Sequence, residues 1–134
     1  MTLEEILLHL LTTAAPAELP ALIADRIYFG RLDNGCEYPA LRITGVSKPA
    51  GERNSAGQQH TTKRATYQID VYADNYLDAT KVAHLMSEYL DGYQGTHDNT
   101  VIQLIEVEDI NPDFLQTTEK HQHSIDLAIL HRNK

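Results

Sequence analysis

Several kinds of residue are scarce in this chain, and each scarcity excludes a class of protein. The 134 residues include one cysteine and no tryptophan, and 11 lysines and arginines stand against 19 aspartates and glutamates. The single cysteine, Cys36, excludes an internal disulfide framework and fits a reducing cytoplasm. No apolar run reaches the ~18 residues that a membrane span needs, and no basic flank precedes the N-terminal leucines. We therefore expect a soluble, unprocessed protein forming a single domain over residues 1–134.

The charge balance narrows the range of partners. The formal net charge is −8, and the basic residues are scattered apart from Lys63 with Arg64 and the terminal Arg132 and Lys134. Tight binding to a nucleic-acid backbone needs clustered cations, and base stacking needs exposed aromatic residues in a recognisable pattern. Sequence-specific recognition of nucleic acid is therefore not expected. An acidic protein that surrounds nucleic acid without adhering to it remains compatible with this composition.

Apolar residues at helical spacing predict two main helices. The first begins at a capping box formed by Thr2 and Glu5, carries a leucine-rich stripe and is interrupted at Pro16, after which a shorter helical turn follows. The second begins at residue 74 or 75, either of which is a good N-cap, and ends at Gly92. Both helices are amphipathic, so each is expected to pack on an apolar surface.

Alternating and β-branched segments predict five strands, at residues 26–29, 39–47, 65–71, 101–110 and 120–131. We expect Asn111, Pro112 and Asp113 to form the loop between the last two strands, because proline interrupts strand pairing. The order α-β-β-β-α-β-β predicts an α+β domain. Its sheet is expected to be mainly antiparallel, with about four to five strands joined by hairpins and two main helices packed on one face.

The other face of the predicted sheet is semi-polar and is expected to meet water or a neighbouring subunit. It is predicted to carry Thr66, Gln68, Asp70, Gln122, Ser124 and Asp126. A polar segment at residues 49–63, nearly free of apolar residues, separates two of the strands. A loop of that length is uncommon in a small domain unless it is functional or disordered. Two interpretations of this segment are about equally favoured. It is either a solvated hairpin loop or a segment that becomes ordered when a partner binds.

Residues that could support catalysis do not form a recognisable pattern. His121 and His123 would share one face of a strand and could bind zinc, with His131, Glu119 or Cys36 as further ligands. None of these has a recognised ligand spacing, so two polar residues near a strand end are the better interpretation. Neither a phosphate-binding loop nor a nucleophile elbow is present.

Two further candidates are equally weak. Cys36 stands next to Glu37, whose negative charge discourages thiolate formation. Glu106 and Glu108 could act as a carboxylate pair in acid–base chemistry, but the solvent face of a strand carries such residues routinely. We therefore predict that the chain is not an enzyme and needs no cofactor.

Several strings, taken in order, resemble a known family. After the leucine-rich helix come ADRIYFG (24–30) and YPALRITGVS (38–47), then ATYQIDVYADNYLDATKVAHLMSEYLDGYQGT (65–96), and finally HSIDLAILHR (123–132). In this order, over nearly the whole chain, they resemble the tail-completion family of long-tailed bacteriophages, which includes tail terminators and head–tail joining proteins. The most specific part is the strand YQIDVYA running directly into the helix that starts DNYLDA.

The resemblance implies a structural role in a virion and brings no catalytic residue. It implies a ring, often of six copies, on the head-proximal end of the tail tube, ending tube polymerisation and joining the tail to the head connector. The implied partners are further copies of the chain, the tail tube protein and a connector or adaptor protein, with DNA only passing through and no membrane. The implied location is the virion tail, after synthesis in the host bacterial cytoplasm.

Residues in and after the polar segment are the candidates for the assembly interface. They are Arg53, Gln58, His60, Lys63, Arg64, Gln68 and Asp70. We expect the loop to be mobile in an isolated subunit and ordered in assembled tails. Two other functions stay open, namely a small monomeric binding or regulatory module and a zinc-dependent enzyme.

Overall fold

A computed structural model describes residues 2–24, 26–31, 35, 37–47, 62–115 and 120–134. The helices are α1 (Leu3–Thr12), α2 (Glu18–Ile23) and α3 (Tyr76–Leu90). The strands are β1 (Ile27–Phe29), β2 (Ala40–Ser47), β3 (Lys63–Ala73), β4 (Gly95–His97), β5 (Thr100–Leu115) and β6 (Lys120–Asn133). Most of the predicted polar segment, namely residues 49–61, lies outside the described residues, and so does Cys36.

One sheet of six strands contains all of these strands, in the order β1-β2-β3-β6-β5-β4. Four of the pairings are antiparallel, and β1 pairs with β2 in parallel. The α+β class is confirmed, but the predicted strand count and order are wrong. The sheet has a further strand, β4, and the first two strands are not joined as a hairpin. The three residues of β4 include glycine and no large apolar residue, so no alternation could indicate it.

The helix boundaries follow from local hydrogen bonds that the sequence predicts. Thr2 Oγ1 accepts from the Glu5 N–H at 3.1 Å while Glu5 Oε1 accepts from the Thr2 N–H at 3.2 Å, which completes the capping box. Asn75 caps α3 by accepting from the Asp78 N–H at 2.9 Å. Gly92, with φ 82°, follows the end of α3 in the left-handed conformation that favours glycine.

The last hairpin differs from its prediction. β5 continues through Asn111, Pro112 and Asp113 to Leu115, so these residues belong to a strand. Ile110 directs its N–H away from β6, to Asp109 Oδ1 at 2.9 Å. By alternation Pro112 also directs its nitrogen away from β6, where no described strand lies, and its missing N–H removes no ladder bond.

The core lies between one face of the sheet, called here the helix side, and the three helices. It joins the leucine stripe of α1 with α2, α3 and the inward residues of five strands. Among its fully buried members are Leu7, Leu10, Ile23, Leu41, Tyr67, Ile69, Met86 and Leu127. Burying Tyr67 raises the pKa of its hydroxyl, and the hydrogen bond with Glu4 of α1 adds to that rise. The opposite face, called here the outer face, is therefore left without a helix.

Candidate functional site

The outer face of the sheet holds a buried carboxylate. Asp70 of β3 is fully buried although it points away from the core. Its Oδ1 accepts hydrogen bonds from Gln68 Nε2 at 2.8 Å and from Ser124 Oγ at 2.7 Å. Its Oδ2 accepts from Arg42 Nε at 3.0 Å and also from Arg42 Nη2. Both oxygens are thus satisfied by three side chains from three adjacent strands.

These partners set the charge state of Asp70. Burial acts to raise the pKa of the carboxyl, but the hydrogen bonds from Gln68, Ser124 and Arg42 and the guanidinium charge outweigh it, so the pKa is lowered. The Arg42 guanidinium lies 5.6 Å from the centre of the Tyr72 ring, within range of a cation–π contact. A closed network of this kind ties β2, β3 and β6 together and leaves little capacity to bind anything else.

A second ion pair crosses the outer face further along the sheet. Arg64 Nη2 of β3 lies 2.8 Å from Glu108 Oε1 of β5, and β6 runs between those two strands. Ala128 of β6 is fully buried on this face, where it lies between Thr66 of β3 and Glu106 of β5 in the strand register. Its small side chain leaves room for longer neighbours, and an open groove lined in part by Thr66, Glu108 and Asp126 lies beside it.

Between the Asp70 network and Arg64 the outer face is acidic. Glu106, Glu108 and Asp109 of β5 lie beside Asp126 of β6, and we call these four residues the acidic patch. Asp109 and Asp126 are directly opposite one another in the strand register, an arrangement that is destabilising for like charges. Among the described residues, Arg64 is the one cation paired with any member of the patch. The other three carboxylates of the patch have no paired cation within the described ranges.

The structure brings three of the predicted interface residues together. Arg64, Gln68 and Asp70 alternate along β3 and share the outer face. The sequence predicts this face for Gln68 and Asp70 but makes no such prediction for Arg64. Lys63 lies instead on the helix side, beside His131 of β6. Burial, and secondarily the charge of Lys63, lowers the pKa of that histidine. The remaining candidates, Arg53, Gln58 and His60, lie outside the described residues.

Sequence reasoning missed Arg42, the principal partner of Asp70. The signal exists, because the two residues are directly opposite in the register of β2 and β3. It becomes visible only once that register is known.

The alternative metal site gains no support from the described part of the chain. His123 is buried on the helix side of the sheet, with its Nε2 3.2 Å from Thr80 Oγ1 and its ring 5.3 Å from that of Tyr76. Its contacts are those of a core residue. No three His, Cys, Asp or Glu side chains within the described ranges are placed to hold a metal ion together. Among the described helices, none is long and apolar enough to span a membrane.

Comparison with known proteins identifies structures that share this fold. No family model matches the sequence, and no curated protein matches it either. A chain from the virion of a native gene transfer agent particle superimposes with a TM-score of 0.65 and 12% identity, covering 89% of this chain and 87% of that one. A second solved protein, whose name carries no functional description, gives a TM-score of 0.56 at 17% identity over 100% of this chain and 96% of its own. At these identities the likeness establishes the fold alone.

Proposed function

We propose that the protein is a structural component of a phage-like virion that completes the tail. Copies of the chain form a ring of six at the head-proximal end of the tail tube, end tube polymerisation and join the tail to the head connector. The observation that carries this proposal is the likeness to a chain of a gene transfer agent virion over nearly the full length of both chains. The tail-completion strings, which run through nearly all of the sequence, support it.

The outer face has the electrostatic character that such a ring needs. DNA passing through a channel carries about one negative charge per 1.7 Å of axis, so any clustered cations on the wall would retard it. The acidic patch holds four carboxylates, of which Glu108 pairs with Arg64, while Arg42 is neutralised by Asp70. We propose that the outer face lines the channel and that the helices face outward.

A deletion of the gene from its parent particle tests the proposed function. We expect electron microscopy to show filled heads beside unattached or overlong tails, with rescue when the protein is supplied in trans. Overlong tails would identify termination as the lost step, and detached tails of normal length would identify joining. Intact, infectious particles would contradict the proposal.

Charge reversal in the acidic patch tests the channel assignment separately. The double variant Glu106→Lys with Asp126→Lys should assemble complete particles that deliver DNA poorly, because its lysines would bind the passing phosphates. Glu18→Lys, on the exposed first turn of α2, is the matched control and should deliver DNA normally. Unchanged delivery by the double variant would remove the outer face from the channel.

A further inference from the structure

A row of apolar side chains crosses the helix side of the sheet from one edge to the other. In the strand register Phe29 pairs with Ile43, Ile43 with Ile69, Ile69 with Ile125, and Ile125 with Ile110. The three central members are 2%, 0% and 1% exposed, whereas Phe29 is 43% exposed and Ile110 is 41% exposed. One continuous apolar row therefore ends in two uncovered side chains at opposite edges of the molecule.

The Ile110 end of the row lies in a groove with an acidic wall. Val107 and Ile110 of β5 form its apolar floor, and Ser87, Glu88 and Asp91 of α3 form its wall. Asp91 already accepts the Val107 N–H at 3.0 Å. The Glu88 carboxylate is exposed, and its described partner is His84 one turn earlier, at 3.2 Å.

The Phe29 end of the row carries the opposite charge. Two residues after Phe29 stands Arg31, which is exposed and forms no ion pair with any residue that the structure describes. Gly30, between them, adopts φ 81° and ends the strand. This edge thus presents an aromatic ring followed by an exposed cation, which complements a groove with an apolar floor and an acidic wall.

We infer that the Phe29 edge of one copy docks in the α3–β5 groove of the next copy, with Arg31 directed to Glu88. This inference rests on the proposed function and names the contact that repeats around its ring. Two different patches at opposite edges form a heterologous contact, which is the kind that closes into rings. Phe29 and Ile110 lie in the same row on the same face, so docking continues the row and turns every outer face to the same side of the ring.

The contact is made by side chains and not by strand addition. The Ile110 N–H is already bonded to Asp109 Oδ1, and Pro112 has no N–H to offer. A strand that approached this part of β5 would find backbone carbonyl acceptors there, but no free backbone N–H donors at residues 110 and 112. A partner would therefore contact the exposed side chains of the groove and the charge of Glu88.

Disulfide cross-linking tests the contact directly. Within one copy Phe29 and Ile110 are four strand spacings apart, roughly 19 Å, which no disulfide can bridge. In a Cys36→Ser background, tails from particles carrying Phe29→Cys with Ile110→Cys should give a ladder of covalent oligomers after oxidation, lost on reduction. The matched control pairs Phe29→Cys with Leu77→Cys, whose native leucine is 77% exposed on α3, and should stay monomeric. Assembled tails that give no ladder would overturn the contact.

Charge exchange provides a second test that keeps both apolar residues. Arg31→Glu and Glu88→Lys should each lower the yield of completed tails about tenfold or more, since like charges then face each other at every contact. The two changes combined should restore most of that yield. Lys134→Glu reverses an exposed cation at the chain end and should have no effect.

The outcomes separate this inference from the proposed function. Completed tails in normal yield from both single charge variants would refute the contact and leave the ring intact. Intact particles after deletion of the gene would refute the ring itself. Circular dichroism of each variant establishes that it is folded, so that a loss of yield reports on assembly.

Discussion

The two ends of the outer face differ in whether their carboxylates are buried and paired. At one end Asp70 is buried, accepts four hydrogen bonds and is neutralised by Arg42. At the other end the acidic patch is exposed, and Asp109 and Asp126 lie opposite each other with no cation between them in the register. A buried charge needs its partners inside the fold, whereas an exposed one can be left for solvent or for whatever passes the surface. The same face therefore contains a hydrogen-bond network that joins three strands and a region of exposed negative charge.

The largest expected effect comes from breaking the Asp70 network. Asp70→Ala leaves the Arg42 guanidinium half-buried without its carboxylate, and we expect unfolding to become easier by about 3 kcal/mol. Urea denaturation at neutral pH measures this loss. Asp126→Ala is the matched control, because its carboxylate has no partner in the described residues, and it should not destabilise the protein. Equal losses of stability in the two variants would contradict the prediction that only the Asp70 carboxylate stabilises the fold.

The pH dependence of stability should also originate at the Asp70 end. The pKa of Asp70 in the folded protein is lowered from its ordinary value of 3.8. Its contribution is therefore complete above that value and is lost as the pH falls below about 4 through the folded pKa. The free energy of unfolding of the parent should drop more steeply between pH 5 and pH 3 than that of Asp70→Asn. Parallel curves for the two proteins would show that this carboxylate does not carry the acid sensitivity.

A smaller effect of opposite sign is expected at the acidic end. Asp126→Asn removes the like charge facing Asp109 and should stabilise the protein by about 0.5 kcal/mol at low salt. The gain should shrink as salt is added, because exposed charges are screened. Thermal unfolding at two ionic strengths measures both. A destabilised variant would mean that Asp126 makes an internal contact that the fold depends on.

The smallest effect belongs to the ion pair between Arg64 and Glu108. Arg64→Gln removes an ion pair whose side chains are 50% and 42% exposed, so we expect a loss of at most about 1 kcal/mol. Arg42→Gln, on the same face, should cost clearly more because its partner is buried. The comparison is made by urea denaturation of both variants in the same buffer.

Local chemistry made a large part of this fold predictable from the sequence. The capping box at Thr2 and Glu5, the N-cap at Asn75 and the alternation of Tyr67, Ile69 and Val71 all depend on neighbours a few residues away. The same alternation placed Gln68 and Asp70 on the outer face. Features of this kind depend on the local sequence and not on which strands pair.

What could not be predicted depends on which strands lie side by side. Arg42 becomes the partner of Asp70 only in the register of β2 with β3. Pro112 is compatible with a strand only because its side of β5 faces no described strand. The row from Phe29 to Ile110 exists only in one strand order, which local patterns do not contain.

The closed edge of β5 has a consequence for the protein before it enters any assembly. Extended edges with free donors and acceptors recruit other chains into growing sheets, and that process is hard to reverse. Here Asp109 occupies one donor and Pro112 removes another along the part of β5 that has no neighbouring strand among the described residues. An approaching chain therefore finds few backbone donors along this part of β5, which disfavours aggregation through this edge.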